Sequence, residues 1–432
     1  MTFMTYLAPQ TPPQLRTKAL LLFVWVSLLV VTPATASTTL HLLTWRASDV
    51  QLWRYIADHE MIPDVRVTAT LIPIEAYDAV RRGEFDTLEI DVQPDMVQTQ
   101  AALGWLNTLS NLNLLLPLPN LSLEAVLPSG LSTVMGADGQ VFGIPFGMQM
   151  ATVIYNKAVF DASGLKVPTS SDSWESLLKQ ADNAGVIPLF VAGNAGWWVS
   201  QMFHETLFAG RVSSSLATGL VAGTACFNDP LVVQALSDVV SWKRYMNDKP
   251  ALASYQDMQS AFALGDAAMI IDGQWSTNPA SPLFQLSPQL SVGTFPLPGP
   301  NGAVASFATG GYVGLNRTAS PDAVAQVMNF IASEAFAQLS MDLTGDIPAF
   351  SGKLVINDPR LAEIADQIVG NGYPVHMVAA PQLGHATLSL DSLLATGYRQ
   401  LLAGQVTPEE MAAAVQLGLN TTGYAGAVLC DI

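Results

Sequence analysis

The chain of 432 residues is 50% hydrophobic and only 12% charged, where about 25% charged is usual for a soluble domain, so intrinsic disorder is excluded and two or three substantial cores can be filled. Its 18 Lys and Arg face 35 Asp and Glu, a net charge of -17 that would repel a phosphate backbone or an anionic lipid surface. Two cysteines exclude a disulfide-dense scaffold and Cys-rich zinc modules, leaving at most one bridge.

Residues 1–36 place Arg16 and Lys18 ahead of the apolar run Ala19–Val31, then Thr32-Pro-Ala-Thr-Ala36. That order predicts a secretory signal peptide cleaved after Ala36, because the run falls short of the roughly 20 apolar residues that span a bilayer. No cysteine follows the cleavage point, so the expected product is an exported, periplasmic protein without a lipid anchor. In an oxidising compartment a bridge between Cys226 and Cys430 is chemically allowed, with two buried free thiols as the alternative.

From Thr38 the chain alternates β and α signals. A strand is expected at Thr38–Trp45, a helix at Asp49–Met61, a strand at Val65–Ile72, a helix at Ala76–Arg82 stopped by Gly83, and a third strand at Phe85–Val92 before Pro94. This is the grammar of a parallel sheet covered by helices, and a second α/β unit follows it. Its expected parts are extended runs at Val141–Pro145 and Thr152–Tyr155, a helix at Ser173–Ala184, and a strand at Ile187–Ala192. Helices at Leu231–Met246 and Gln256–Leu264, a strand at Ala268–Ile271, a strand at Tyr312–Leu315, a helix at Ala323–Ala335 and a helical tail complete the series.

Catalytic signatures are scarce. The chain contains no G-x-G-x-x-G, no G-x-x-x-x-G-K-[ST] and no G-x-S-x-G. His204-Glu205 opens like a metalloprotease helix, but Phe208 stands where the second His would be, and the histidines at 41, 59, 204, 376 and 385 are scattered, so no metal site and no cofactor is expected. What the sequence does offer is aromatic residues beside loop glycines, carboxylates and amides: Trp45, Trp197-Trp198 after Gly193-Asn-Ala-Gly196, and Trp275 after Asp272-Gly-Gln. A pyranose lays its C–H face on such a ring while planar polar side chains take its hydroxyls. In open α/β sheets ligands bind beyond the carboxyl ends of the strands.

Five stretches, in this order, resemble the extracellular solute-binding proteins of carbohydrate ABC importers, the maltose-binding-protein-like family. They are Phe85-Asp-Thr-Leu-Glu-Ile-Asp91-Val with Gly104-Trp-Leu-Asn-Thr-Leu; Gly143-Ile-Pro-Phe146-Gly-Met-Gln149 with Ile154-Tyr-Asn-Lys157; Val167-Pro-Thr with Ser173-Trp-Glu-Ser-Leu; Gly265-Asp-Ala-Ala-Met-Ile-Ile-Asp-Gly273-Gln-Trp275; and Gly310-Gly311-Tyr312-Val with Gly345-Asp-Ile-Pro348-Ala. The resemblance implies an α/β fold of two hinged lobes with the ligand in the cleft between them: lobe I from residues 37–150 plus 304–342, lobe II from 151–303 plus 343–432. It implies a monomer that captures a sugar without chemistry and delivers it to an ABC permease. Position by position it puts Asp91 on sugar hydroxyls at the end of the third strand, Trp275 under a sugar ring, Gly311 with Tyr312 on the hinge side, and Phe146 and Gln149 where an aromatic and an acid or amide stand. Trp45, Glu75, Trp197 and Trp198 are added from loop position and residue type. Two alternatives stay open: the same fold holding a polyamine or other solute, which the acidic balance favours, and an exported glycosidase, which needs two carboxyl groups in opposed environments.

Overall fold

The computed structural model describes residues 37–430 apart from 74–75, 100–104, 132, 137–138, 280, 309, 374–382, 384–388 and 423. The signal-peptide expectation, Glu75, His376 and His385 lie outside the described residues.

Two sheets organise the fold. The first takes β1 (Thr38–Thr44), β2 (Val65–Leu71), β3 (Met96–Gln98) and β4 (Gly143–Pro145) from the first third of the chain. The second takes β5 (Met148–Asn156), β6 (Ile187–Phe190), β7 (Ala267–Gly273), β8 (Val292–Phe295) and β9 (Val304–Ala308). The chain then returns β10 (Gly311–Gly314) to the first sheet and adds β11 (Gly372–Tyr373) to the second. Strand order is β2-β1-β3-β10-β4 in one and β11-β9-β5-β7-β6 in the other, with β8 also against β5. The first sheet has the expected parallel trio, β1 between β2 and β3, closed by antiparallel β10. The second is mixed rather than parallel, because the long β5 runs antiparallel to β7, β8 and β9.

Alternation along β1 explains how the first sheet is covered on both faces. Leu42 packs with Leu52, Trp53 and Ile56 of the helix Ala47–Asp58, whereas its neighbour Leu43 packs with Tyr77, Val80 and Phe85 on the opposite side. β7 is buried at every residue and sits in the largest core, with Trp174, Trp198, Trp242 and Phe262. Helix ends follow their local chemistry. Capping boxes at Ser170–Ser173, Ser254–Asp257 and Thr407–Glu410 open the helices Ser171–Asn183, Tyr255–Leu264 and Pro408–Asn420.

One strand differs from its expectation. Phe85–Thr87 is a single tight turn, and the third strand is the short Met96-Val-Gln beyond Pro94. Pro94 has no N–H for a ladder and biases the residue before it toward extended backbone, so the run ahead of it stays outside the sheet and pairing starts after it. The helix expected at Ala323–Ala335 ends instead at Ile331, and a separate helix, capped by Ser333, runs from Glu334 to Thr344.

Three crossings between the sheets lie side by side. Phe146 N–H donates to the Gly310 carbonyl at 3.2 Å, and Met148 N–H donates to the Ile347 carbonyl at 2.6 Å while standing in register with Ala308. The return to the first sheet therefore comes after Ala308, not at 304, since Val304–Ala308 still pairs with β5 and Gly311 already pairs with Pro145. The third crossing turns at Gly345, whose φ of +72° favours glycine and whose added Cβ would stand 2.4 Å from Asn278 Nδ2.

At the far end of the second unit Cys226 and Cys430 form a disulfide, so the bridge and not the pair of free thiols is present. It fastens the end of the chain to the loop before the helix Pro230–Trp242, where Tyr424 is also buried. Replacing both cysteines by Ser is expected to lower unfolding stability by about 2–5 kcal/mol in denaturant titrations; an unchanged midpoint would show that the bridge constrains nothing.

Candidate functional site

The carboxyl ends of β1 and β3 carry a buried polar network. Thr44 Oγ–H donates to Gln98 Oε1 at 2.7 Å, the Gln98 amide donates to Asp49, and Tyr312 donates its hydroxyl to Asp49 at 3.1 Å. Arg46 pairs with Asp49 at 3.5 Å and with Asp346 from the third crossing, and its guanidinium lies 4.7 Å from the centre of the Phe146 ring. Burial alone would pull the Arg46 pKa down, but Asp346 and Asp49 hold it above its ordinary value; burial raises Asp49, against the pull of Arg46. This network is a fixed floor. Above it Trp45 stays half-buried, edge-on to Tyr77 at 5.0 Å and to Phe146 at 6.4 Å.

The second unit supplies a second ring cluster at the carboxyl end of β7. Trp275 follows Gly273 and Gln274 and is half-buried. Its ring centre lies 6.4 Å from that of Trp197, which is 43% exposed, and Trp197 sits edge-on to Tyr255 at 5.0 Å. Below them Asp272, wholly buried, accepts hydrogen bonds from Tyr255 Oη (2.8 Å), Ser276 Oγ (2.6 Å) and the Gly273 amide (2.9 Å), and Tyr255 Oη in turn accepts the Trp275 indole N–H at 3.1 Å. Burial pushes Asp272 up to about 6 despite those three donors.

Two residues beyond Trp197 the helix widens into a π-turn over 199–203, a local irregularity that recurs at functional sites. It aims Ser200 and Gln201 at Asp391, in the first turn of the helix Leu390–Ala403. Burial raises Asp391, opposed first by the hydrogen bonds from Ser200 and Gln201 and then by the positive charge of Arg81, from the helix Tyr77–Arg81 of the first unit. A separate cavity of about 260 Å³, which none of these rings lines, is bounded by Gln274, Thr277, Asn278, Gly345, Asp358 and Arg360. That is smaller than the roughly 300–1,000 Å³ usual for a ligand pocket. Among the described residues no three His, Cys, Asp or Glu side chains converge as metal ligands would.

The expected site residues divide sharply. Trp45, Trp197 and Trp275 keep exposed surface at strand ends, and Gln149 is half-buried in β5 opposite Phe307. Trp198 does not join them: it is fully enclosed and donates its N–H to the Ile271 carbonyl at 2.8 Å. Tyr312 and Phe146 are 1% and 4% exposed, so they support the floor and offer no free face. Gly311 is backbone-packed, since an added Cβ would stand 2.5 Å from the Ile144 carbonyl. Asp91 is exposed but precedes β3, at the amino edge of the sheet and away from the strand end that the resemblance implied. Tyr255, Asp272, Ser200 and Asp391 went unnoticed as site residues; the Asp272-Gly-Gln-Trp275 stretch was the one signal that could have found the second of them.

Residues 49–338 match the bacterial extracellular solute-binding protein family. A multiple sugar-binding protein of Streptococcus mutans is 27% identical over 170 residues, 37% of this chain and 39% of that protein. An ABC transporter extracellular-binding protein of Pyrococcus horikoshii is 23% identical over 228 residues, 51% of this chain and 50% of that one. The chain thus spans half or less of the length of these curated relatives. Among solved structures, a chitin oligosaccharide binding protein superposes with a TM-score of 0.72 at 18% identity, covering 90% of this chain and 99% of that one. The GacH receptor of Streptomyces glaucescens gives 0.71 at 17% identity over 90% and 99%. These likenesses establish the two-lobe α/β fold.

The two adjacent indoles give opposite expectations. Trp198→Ala should cost about 3–5 kcal/mol in chemical unfolding, as for other enclosed large aromatics, while Trp197→Ala should leave stability within about 1 kcal/mol of the parent. Equal losses at both positions would contradict the placement of Trp197 at the surface.

Proposed function

The chain belongs to the bacterial extracellular solute-binding proteins, and from that membership together with its half-exposed rings we propose that it captures a sugar or oligosaccharide outside the cytoplasm for an ABC permease. The carrying observation is the placement of the rings. Trp45 stands at the carboxyl end of β1, and Trp197 and Trp275 stand together near the carboxyl end of β7, each braced by neighbouring rings and only partly buried. Several relatives are named for sugars, among them a raffinose complex and a stachyose complex, which supports a carbohydrate over a polyamine.

On this reading the two sheets are the cores of two lobes, the crossings at 146–148, at 310–311 and at 345–348 are the hinge, and closure buries the sugar between Trp45 and the Trp197–Trp275 pair. Gln149 and Asp391 are the polar groups that meet its hydroxyls. No bond in the sugar is made or broken. The protein acts as an exported, periplasmic monomer, and the closed pair of lobes is the surface that the permease reads.

A thermal-shift and calorimetric screen against raffinose, stachyose, chitin oligosaccharides, xylo-oligosaccharides and spermidine tests the proposal. A sugar at 100 times its Kd should stabilise the protein by about 2.7 kcal/mol, and Trp275→Ala should weaken its binding by about 2 kcal/mol or more, the cost of losing an aromatic anchor. Stabilisation by spermidine alone, sugar hydrolysis, or full affinity in Trp275→Ala would overturn it.

A further inference from the structure

The rings at the end of β7 are not held alike. Trp197 rests on packing, whereas Trp275 is tied by its single polar atom to a chain of hydrogen bonds ending on a buried carboxylate. The direction of that chain is forced by valence. An indole N–H only donates, so Tyr255 Oη must accept it; the Tyr255 hydroxyl then has its own proton to place, and at 2.8 Å it gives that proton to Asp272 Oδ2. The same oxygen also receives Ser276 Oγ–H, and Oδ1 receives the Gly273 amide. As drawn, all three partners donate to the carboxyl group, and for two of them, the Gly273 amide and the indole-bound Tyr255 hydroxyl, that direction is fixed, an arrangement that favours the carboxylate.

We infer that Asp272 is the positioning residue of Trp275: in its ionised form it fixes the Tyr255 hydroxyl so that the indole is held at the angle its ligand meets. A proton added to Oδ2 would face two hydroxyl protons, and one added to Oδ1 would face the Gly273 N–H. A proton on Oδ2 makes one hydroxyl turn, and when Tyr255 turns, its oxygen points a lone pair at Asp272 and its proton toward the indole. The tie to Trp275 is then lost. The groups around Asp272 are few. Tyr255 comes from the helix Tyr255–Leu264 and Ser276 from the turn after β7. Thr152 stands in register on β5 with its hydroxyl already given to the Phe295 carbonyl, and apolar Val191 and Ala192 follow β6. Burial and the three donors set the carboxyl group near 6, inside the range an exported protein meets. The inference rests on Trp275 being a sugar-facing ring, as proposed above, and makes capture weaken as the pH falls through that value.

The stability effect has the opposite sign. The folded pKa is raised above the ordinary 3.8, so between about 6 and 3.8 the folded protein keeps a proton that the unfolded chain has lost. The contribution of Asp272 to folding therefore grows on acidification through this window, just where the hold on the ring is released. A carboxylate that merely stabilised the fold would lose both together.

The test needs no ligand. In 15N-labelled full-length protein the Trp275 indole N–H resonance, assigned by its absence in Trp275→Phe, is followed from pH 8 to 4.5. It should shift with one midpoint near 6, stay flat in Asp272→Asn, and move to a fixed, different position in Tyr255→Phe, while Asp272→Asn gains melting temperature relative to the parent at pH 8 more than at pH 5. An indole that does not titrate in the parent, or that titrates equally in Asp272→Asn, overturns the inference. Should Asp272→Asn fail to fold, the parent titration and Tyr255→Phe decide alone. Full sugar affinity in Trp275→Ala would sink the site and leave this coupling standing, whereas a flat indole resonance would sink the coupling and leave the site.

Discussion

An indole that is to receive a sugar has to be rigid without being enclosed. Packed on all sides it has no face to offer; left free it loses conformational entropy when the ligand arrives. The sugar-binding reading depends on how this chain meets that constraint at the ends of its strands. Trp45 is braced edge-on by Tyr77 and Phe146, and Trp275 is braced by Trp197 and roped through Tyr255 to Asp272. The residues behind the rings are as specific as the rings themselves. Phe146 and Tyr312, which have no exposed face, give Trp45 and Arg46 a surface to lean on.

The same economy governs the crossings. Arg46 comes from the first unit, and Asp346 follows Gly345 on the third crossing, so an almost buried ion pair joins a ring-bearing loop to a connection between sheets. Removing one partner of such a pair leaves an uncompensated charge, which costs far more than the pair contributes when intact. Its position is therefore well fixed. Around it, Met148 lies between Ala308 and Ile347, so the three connections are laced by backbone hydrogen bonds whatever their side chains. Motion of one unit against the other has to be absorbed within these few residues.

Much of the architecture was legible because the signals were local. Capping boxes, helix-stopping glycines and the apolar run of β7 mark their elements within a few residues, and Cys226 and Cys430 could pair only with each other. The failures were tertiary. Phe85–Val92 has strand composition, but the ladder belongs to three residues beyond Pro94, and that displacement carried Asp91 from the carboxyl to the amino edge of the sheet. Trp197 and Trp198 differ by about 100° around one helical turn, so one faces out and the other in, and nothing in the pair of letters says which. The resemblance puts Tyr312 among the ligand-binding residues on the hinge side; its hydroxyl instead completes the buried network on Asp49. The Trp275–Tyr255–Asp272 rope joins residues up to 20 positions apart and has no sequence period at all.

Closure around a sugar is the central claim, and solution X-ray scattering on the full chain reads it most directly. Saturation with the oligosaccharide that stabilises the protein best in the screen should shrink the radius of gyration, and Trp275→Ala at the same concentration should stay at the unliganded value. An identical scattering profile with and without bound sugar would contradict a hinged capture protein.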